Sequence, residues 1–524
     1  MKMKLNVKRV FLVGLAFFLI TMFWQCYDTI IPKILTDKFG MSQTFSGVIM
    51  ALDNVLALFL LPFFGTLSDK SRAKIGKRTI FILIGTLISC VLFVGLSFAD
   101  NMQLTQIKDV TATASVEETA EREAALTVLY DADIEVKGER IQDKFTKEEF
   151  LAIKTMTKNA ETGKDEMNED YSNYVVPARQ IYAWSKTAEN PAPLIIFISV
   201  LLCTLVSMGS FRSPAVALMP DVTPKPLRSK ANAIINLMGT IAGAIVLVLG
   251  IVFGTGKVQN SLMSYTLFFS VIAGLMLIAL TVFMLTVREP AWSKEASDIS
   301  KAAGIENEEA EKLGAEGKRH LSKGELRSLI LILASVALWF IGYNAVTSKY
   351  SVYASQVLGR DYNTTLIIAL GVAAVAFIPV GIISSKIGRR KMILVGVAML
   401  TAAFAVAAFL GKDSPAWLMN ILFGLAGIGW ASINVNSFPM VVELATGSDV
   451  GKYTGFYYAA SMAAQVVAPV LSGLFLDIID MKALFPFGAI FVALSFVTMF
   501  FVKHGDSKPI VNKETILDNM GDND

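Results

Sequence analysis

The chain has 524 residues, of which 54% are hydrophobic and 17% are charged, and its net charge is +3. A soluble protein of this length needs a larger charged surface, so the composition excludes a soluble globular fold. The cysteines have neither metal-ligand nor disulfide-framework spacing. We interpret them as small apolar residues within membrane spans: Cys26, Cys90 and Cys203.

The chain begins with a short basic segment, residues 1–9, followed by an apolar run of about 20 residues, the length that a bilayer crossing requires. This run is longer than the apolar core of a signal peptide, and it contains Trp24 and Asp28 in place of a cleavage site. We therefore interpret it as a retained membrane helix. Twelve spans in all are predicted, near residues 10–31, 45–66, 79–98, 193–218, 232–254, 262–287, 327–348, 364–385, 391–410, 416–437, 453–475 and 484–502.

The short segments between the spans differ in their Lys and Arg content. The segments on the same side of the membrane as the N-terminus hold 17 Lys and Arg residues, whereas those on the opposite side hold 7. Basic loops remain cytoplasmic. We therefore predict a multi-pass protein of the plasma or inner membrane with both termini in the cytoplasm.

A long polar stretch, residues 100–192, separates spans three and four and carries 19 acidic and 11 basic residues. We predict a small mixed α/β domain on the extracytoplasmic face. Capping-box patterns predict helix starts at Ser115 and Thr146, and alternation predicts a short strand within residues 133–137. The composition leaves a disordered insert as the alternative.

A second polar stretch links spans six and seven and ends in a capping box at Ser322. The predicted units are an N-terminal six-helix bundle (1–99 and 193–288), the insertion (100–192), a cytoplasmic linker (289–326), a C-terminal six-helix bundle (327–503) and a cytoplasmic tail (504–524).

The cytoplasmic loops of the two halves resemble each other. Gly65-Thr-Leu-Ser-Asp69 follows span two, and Gly381-Ile-Ile-Ser-Ser385 follows span eight. The segments that begin at Asp221 and Glu443 align without gaps at an offset of 222 residues. Two related halves are typical of alternating-access carriers, whose binding site lies between the halves near mid-membrane.

The acidic residues of these loops do not serve the positive-inside bias, so their position needs another cause. Ion pairs between them and nearby arginines would hold the cytoplasmic side closed and would break when it opens. The predicted cytoplasmic gate comprises Asp69, Arg78, Asp221, Arg228, Arg390 and Glu443. For the other basic residues of the first loop, the positive-inside bias is a sufficient explanation.

The helix count, the repeat and the Gly-x-x-Ser-Asp loop resemble the major facilitator superfamily. The extended pattern, with Gly76-Lys-Arg78 and Phe81-Ile-Leu-Ile-Gly85, is similar to the glycoside–pentoside–hexuronide cation symporters and the sucrose-carrier-like proteins. The resemblance covers the chain outside the insertion. It implies the uptake of a sugar or glycoside by a monomer that uses no cofactor beyond a coupling ion, H⁺ or Na⁺.

The chain also departs from that group. Val216 stands where sucrose carriers often have an arginine, and Arg212, one turn earlier, is the only basic residue of its span. The second-half loop has Ser385 where the first has Asp69, and the insertion is not a usual feature.

Charged residues within membrane spans are costly, and a functional role is therefore the first interpretation. Asp53 lies about 14 Å from the start of its span at 1.5 Å per residue, close to mid-membrane. We predict that it couples transport to a proton or sodium ion, with Asp28 and Arg212 as further ion-coupling residues. The alternative for Asp53 is a structural hydrogen bond between helices. For Asp28 the alternatives are a sugar acceptor or an interfacial residue, and for Arg212 the alternative is snorkelling to the cytoplasmic surface. All three belong to the first half, and the spans of the second half are expected to be uncharged.

Sugar recognition needs hydroxyl partners and flat apolar surfaces. Trp339 with Tyr343 and Trp430 with Asn434 are each four residues apart, so each pair shares a helix face. The predicted substrate-binding residues are Trp24, Tyr27, Asn54, Trp339, Tyr343, Asn344, Trp430, Asn434 and Gln465. Interhelical hydrogen bonding and aromatic packing are the alternative for each of them.

A drug or lipid carrier and a transporter-like sensor of the same fold remain alternatives. A membrane-embedded enzyme would need clustered His, Cys or carboxylate residues at one membrane face, and the sequence contains no such cluster. No phosphate-binding loop indicates ATP-driven transport. We expect no enzymatic activity and no nucleic-acid partner, only a small-molecule substrate and membrane lipid.

Overall fold

The computed structural model describes residues 5–158, 165–224, 228–302, 321–444 and 450–506. In these residues, twelve helices have the length of membrane spans. They are α1 (Val7–Lys38), α2 (Gln43–Lys70), α3 (Thr79–Gln106), α4 (Ala192–Val222), α5 (Arg228–Phe253), α6 (Thr266–Thr286), α7 (Lys323–Gln356), α8 (Tyr362–Ile387), α9 (Arg389–Ala407), α10 (Ala416–Glu443), α11 (Val450–Ile478) and α12 (Leu484–Phe500).

The prediction of an all-α membrane protein with twelve spans is confirmed. Eleven of these helices have a stretch apolar enough to cross a membrane, and α8 is 26 residues long with a described apolar stretch at Tyr362–Phe377.

Because the number of spans is even, both ends of the described chain lie on one side of the membrane, which we call the terminal side. The opposite side carries residues 107–191, the insertion, and we call it the insertion side.

Each half has its own hydrophobic core. In α1–α6 the core is built around the ring contacts of Phe93 with Phe23 and Phe269, and in α7–α12 around those of Phe485 with Tyr350 and Tyr353. The halves meet through three helix pairs, α2 with α11, α5 with α8 and α1 with α7. The hydrogen bonds between described residues of the two halves all lie at the insertion-side ends of these helices.

The insertion folds around a third hydrophobic cluster. Its longer helices are Ala120–Asp131 and Val176–Glu189. Two antiparallel hairpins pair Glu135–Val136 with Glu139–Arg140, and Met156–Lys158 with Asp165–Met167. The insertion is therefore a small mixed α/β unit.

The local predictions for the insertion are confirmed in part. The short strand is present at Glu135–Val136, and Thr146 forms the predicted capping box with Glu149. The helix start at Ser115 is wrong, because the helix begins at Ala120 with Thr119 as its N-cap. The Ser115 carbonyl accepts hydrogen bonds from the Arg122 and Thr155 side chains, which hold this segment in an irregular conformation.

Between the halves, a helix spans Glu289–Ala302, and residues 303–320 lie outside the described part. The predicted capping box is confirmed at Ser322, whose hydroxyl accepts the Glu325 N–H at 3.2 Å. It opens α7, which continues to Gln356, beyond the span end predicted at residue 348.

Candidate functional site

Charged residues of α1, α2 and α4 come together in the first half. Asp28 and Asp53 lie within electrostatic reach of each other and of Arg212. The Arg212 guanidinium lies over the Trp24 ring, 5.2 Å from its centroid. Asp28 is exposed although its neighbours along α1 are buried, and Asp53 and Arg212 are half-buried. The three predicted ion-coupling residues therefore form one charged cluster that water-sized molecules reach.

The second half presents an aromatic pair to this cluster. Tyr343 of α7 and Trp430 of α10 are stacked, with ring centroids 3.7 Å apart and planes inclined by 3°. Both rings are half-buried. Tyr343 also lies within electrostatic reach of Asp28. Asp28 lies on α1 and Tyr343 on α7, and these helices pack against each other across the interface between the halves, where related halves are expected to enclose a substrate.

The Trp24 indole supplies a hydrogen-bond donor at this interface. Its Nε1 is buried and has no partner within the described part of the chain. A buried N–H without a partner costs free energy, so this group is suited to donate to an oxygen of a bound molecule. Its ring also makes an edge contact with Tyr27, at 5.3 Å between centroids.

The predicted amide residues are half-buried and oriented by bonds to neighbours. Asn54 Nδ2 donates to Asp53 Oδ1 at 2.7 Å, which attaches it to the charged cluster. Asn344, Asn434 and Gln465 each donate to the carbonyl one turn earlier in their own helix, at 2.8, 3.3 and 3.2 Å. These bonds orient the amides without joining them to the cluster.

Two predicted binding residues lie in hydrophobic cores instead. Trp339 is fully buried within the core of the second half. Tyr27 is 1% exposed, and its hydroxyl donates to the Met50 carbonyl at 3.4 Å. Since neither ring is accessible, the structure assigns them to packing rather than to contact with a substrate.

On the terminal side, Arg78 joins the predicted gate residues of the first half. Its Nε donates to Asp221 at 2.9 Å, and its terminal nitrogens bond Asp69 and Ser68. Lys77 adds an ion pair with Asp221 at 3.1 Å. The ends of α2, α3 and α4 are therefore tied together. These ion pairs lie within one half, so the Arg78 network does not itself connect the two halves in this conformation.

The sequence interpretation missed Glu289 in this network. Its carboxylate accepts the backbone N–H groups of Arg78 and Thr79, at 2.8–3.1 Å, and so caps the start of α3. An anion is favourable at a helix N-terminus. The second half repeats the arrangement, with Asp506 accepting the Arg389 N–H at 2.6 Å.

The remaining gate predictions are local or undescribed. Arg390 donates to the Phe500 carbonyl and lies over the Phe500 ring, so it binds the end of α12 within its own half. Arg228 and Glu443 belong to α5 and α10, and their side chains lie outside the described residues.

The insertion side contains contacts that sequence reasoning did not predict. Asp477 of α11 accepts the N–H groups of Gln43 and Thr44, at the start of α2. Lys349 of α7 is fully buried and donates to the Gln43 carbonyl at 2.9 Å. The expectation of an uncharged second half is therefore wrong, because α7 continues past its predicted end and buries Lys349.

Further buried charges lie at the end of α1, which continues to Lys38, beyond the span end predicted at residue 31. Lys38 and Asp100 form an ion pair at 2.6 Å with both side chains fully buried. Lys33, also fully buried, donates to the Thr255 carbonyl at 2.7 Å. The described residues contain no group of three His, Cys, Asp or Glu side chains placed to hold a metal ion.

Comparisons with known proteins agree with this architecture. A sequence profile described as Major Facilitator Superfamily matches residues 180–378 and 366–518, and one described as MFS/sugar transport protein matches residues 12–116. The MFS-type transporters ppzB of Metarhizium rileyi (strain RCEF 4871) and Metarhizium majus (strain ARSEF 297) are each 27% identical over 136 residues. That segment is 26% of this chain and 28–29% of the relatives, so the match covers less than a third of their length.

Solved transporter structures share the fold over nearly the whole chain. The inward-open xylose transporter XylE from E. coli has a TM-score of 0.61 at 12% identity, covering 97% of this chain and 99% of that one. A D-xylose-proton symporter has a TM-score of 0.57 at 12% identity, covering 96% and 99%. A peptide transporter POT in complex with alafosfalin has a TM-score of 0.58 at 11% identity, covering 94% of both chains.

The superfamily profile matches more than half of the chain. The chain therefore belongs to the major facilitator superfamily.

Proposed function

We propose that this transporter takes up a sugar or glycoside together with a proton or sodium ion. The observation that carries the proposal is the meeting of the charged cluster, Asp28, Asp53 and Arg212, with the stacked pair, Tyr343 and Trp430. One half thus contributes groups that bind a cation, and the other a flat apolar surface. The match to a profile described as sugar transport supports the substrate class.

The orientation is proposed from the distribution of basic residues. The segments on the terminal side hold 17 Lys and Arg residues against 7 on the insertion side, which favours a cytoplasmic terminal side. In that orientation the insertion lies outside the cell, and the conformation is closed to the outside by the contacts at Gln43, Lys349 and Asp477. Substrate would leave toward the cytoplasm from this state.

The charges of the cluster provide a reason for ion coupling. Two carboxylates and one guanidinium have a net charge of −1 when all three are ionised, and a net charge within the membrane is unfavourable. One H⁺ or one Na⁺ at Asp53 neutralises the cluster. Loss of that ion would restore the net charge and favour release of the substrate, so the two events are coupled.

Sugar binding follows from the same geometry. The faces of a pyranose ring are apolar and its hydroxyls are polar, so it needs both an aromatic surface and hydrogen-bond partners. Tyr343 and Trp430 provide the aromatic surface. The Trp24 N–H donates a hydrogen bond to a hydroxyl oxygen of the sugar, and the Asp28 carboxylate accepts a hydrogen bond from a hydroxyl group.

Reconstituted protein tests the proposal through counterflow of a panel of pentosides and disaccharides, with and without a proton or sodium gradient. Asp53→Asn should abolish gradient-driven accumulation and spare exchange, because it removes the ionisable group and keeps the shape. Asp298→Asn, the same change at an exposed residue of the helix Glu289–Ala302, is the matched control. Accumulation by Asp53→Asn equal to that of the wild type would exclude Asp53 from coupling.

A second candidate function is the export of an organic cation. The same aromatic pair next to two carboxylates also suits a cationic ligand, since aromatic faces attract positive charge. The counterflow panel should therefore include quaternary ammonium compounds. Exchange of these compounds without exchange of any sugar would favour the exporter and contradict the symporter.

A further inference from the structure

The insertion is attached firmly to the first half. It follows α3 and precedes α4, and its helix Val176–Glu189 packs against the end of α1 and the turn that follows it. The approach is so close that a Cβ on Gly40, whose φ is +68°, would lie 2.1 Å from the Gln180 carbonyl oxygen. The Thr187 hydroxyl donates to the Phe39 carbonyl at 3.1 Å and accepts a hydrogen bond from Gln103 Nε2 at 2.9 Å. The insertion must therefore move with the first half.

The same insertion also reaches the second half. Glu169 forms an ion pair of 3.2 Å with Lys412, in the loop between α9 and α10. Met167 lies against Gly359, between α7 and α8, where a Cβ would be 2.7 Å from the Met167 Cβ. Gly359 has a φ of +62°, so glycine serves both the backbone conformation and the contact.

A buried carboxylate joins the insertion and the two halves at one point. Asp37, at the end of α1, is 2% exposed. Its Oδ1 accepts Gln180 Nε2 of the insertion at 3.1 Å and Gln356 Nε2 of α7 at 3.0 Å. Because both amides share one oxygen atom, Gln180 positions the carboxylate that binds the second half.

These contacts surround an open space rather than a continuous core. A cavity of about 750 Å³ separates the insertion from the second half, with Trp184 and Asn173 on one wall and Tyr353 and Asp413 on the other. The insertion thus reaches across the gap with the Glu169–Lys412 ion pair and the contact of Met167 with Gly359. Contacts of this kind separate without exposing a hydrophobic core.

We propose that the insertion is a conformational brace that stabilises the transporter with its insertion side closed. Its contacts with Lys412 and Gly359, and the hydrogen bond between Asp37 and Gln356, exist only while the two halves are together on this side. Opening moves the insertion away with the first half and breaks all of them. By population-shift reasoning, contacts present in one state alone raise the population of that state, so weakening the brace should favour the open state.

Spin-label distances test the brace without any substrate, so the outcome is independent of the proposed sugar. Nitroxides are placed at two exposed insertion-side positions, Ile195→Cys in the first half and Ile479→Cys in the second, with the three native cysteines replaced by serine. Glu169→Lys places two positive charges together at the contact. Since exposed ion pairs contribute modestly, we expect roughly a two- to five-fold rise in the ratio of long to short distances.

Two comparisons separate a brace from a general loss of structure. The charge swap, Glu169→Lys with Lys412→Glu, should restore the wild-type distribution. Glu118→Lys is the matched control, because Glu118 pairs with Lys154 within the insertion at 2.7 Å, and it should leave the distribution unchanged. The proposal is overturned if Glu169→Lys leaves the ratio unchanged, if Glu118→Lys raises it equally, or if the swap fails to restore it.

Discussion

Asp477, near the end of α11, accepts the backbone N–H groups of Gln43 and Thr44 at 2.8 and 2.7 Å, so a carboxylate of the second half caps a helix of the first. The N–H groups at a helix start lack partners within the helix, and the helix dipole favours an anion there. Lys349 holds the Gln43 carbonyl from a second helix. The hydrogen bonds from Gln43 and Thr44 to Asp477 can form only while the two halves are together on the insertion side. Capping of α2 therefore depends on the conformation of the whole protein.

Asp477→Asn should weaken closure of the insertion side. The change removes the charge that strengthens both hydrogen bonds, and we expect a loss of about 1–2 kcal/mol. Hydrogen exchange should become faster at the start of α2 and also around Thr255, which contacts Tyr362 in the separate interface of α5 with α8.

Exchange that increases at Gln43 and Thr44 alone would indicate local fraying and contradict a role in closure. Asp480→Asn is the control, because Asp480 is an exposed acid just beyond the end of α11 that accepts the Lys482 N–H of its own half.

Trp430→Leu should impair substrate binding more than folding. It removes the ring stacked on Tyr343, and an aromatic pair contributes about 0.5–1.5 kcal/mol beyond its buried area. The variant also loses the contact of the ring with the sugar. A total loss of about 1.4 kcal/mol corresponds to a factor of ten in affinity, so we expect the half-saturating concentration in counterflow to rise about ten-fold.

The matched control for the stacked pair is Trp417→Leu in the same helix, because Trp417 is 61% exposed on the bundle surface. A similar rise in both variants would show that the loss of a tryptophan from α10, rather than of the stacked pair, is responsible.

Arg78→Lys should destabilise the protein although the charge is kept. The guanidinium contacts Asp69, Ser68 and Asp221 at once, and an ammonium does not reproduce this fork. Loss of charged hydrogen bonds at a side chain that is 5% exposed should cost about 1–3 kcal/mol.

Thermal unfolding in detergent measures this loss, and Arg72→Lys in the same loop, at an exposed arginine, should leave the midpoint nearly unchanged. Equal midpoints for Arg78→Lys and Arg72→Lys would show that the contacts of the Arg78 guanidinium with Asp69, Ser68 and Asp221 do not stabilise the protein.

Asp100→Asn should be among the most destabilising single changes, because it leaves the Lys38 ammonium buried without its counter-ion. Breaking one partner of a buried pair costs about 3–5 kcal/mol, whereas replacing both by apolar residues is often neutral. Lys38→Met with Asp100→Leu should therefore recover most of the thermal stability lost in Asp100→Asn. A double variant as unstable as the single one would mean that the charges themselves are required.

Local features of the sequence were the most predictable part of the structure. Thr146 and Ser322 form capping boxes with residues three positions later, so their bonds depend on adjacent chain alone. The same pattern at Ser115 failed, because Arg122 and Thr155 bond its carbonyl and oppose a helix there. At Ser115, contacts with the side chains of Arg122 and Thr155 therefore outweighed the local sequence pattern.

In the candidate site, too, local spacing was predictable from the sequence and the tertiary contacts were not. Trp339 and Tyr343 are four residues apart, and the shared helix face was predicted from that spacing. Four residues also displace them by about 6 Å along the helix, and the structure buries Trp339 in the core while Tyr343 stacks on Trp430 at the interface. Spacing identifies a face of the helix without indicating which neighbour covers each part of it.

By itself, the sequence determined twelve apolar spans, two related halves and three of the membrane charges, because hydropathy, repeats and helix periodicity are properties of neighbouring residues. The tertiary structure decided what those charges and the long polar insertion contact. Asp37 and Gln180 are 143 residues apart, and Lys349 and Gln43 are 306 apart. Contacts over such separations depend on how the helices pack, and packing is settled only when the whole chain is folded.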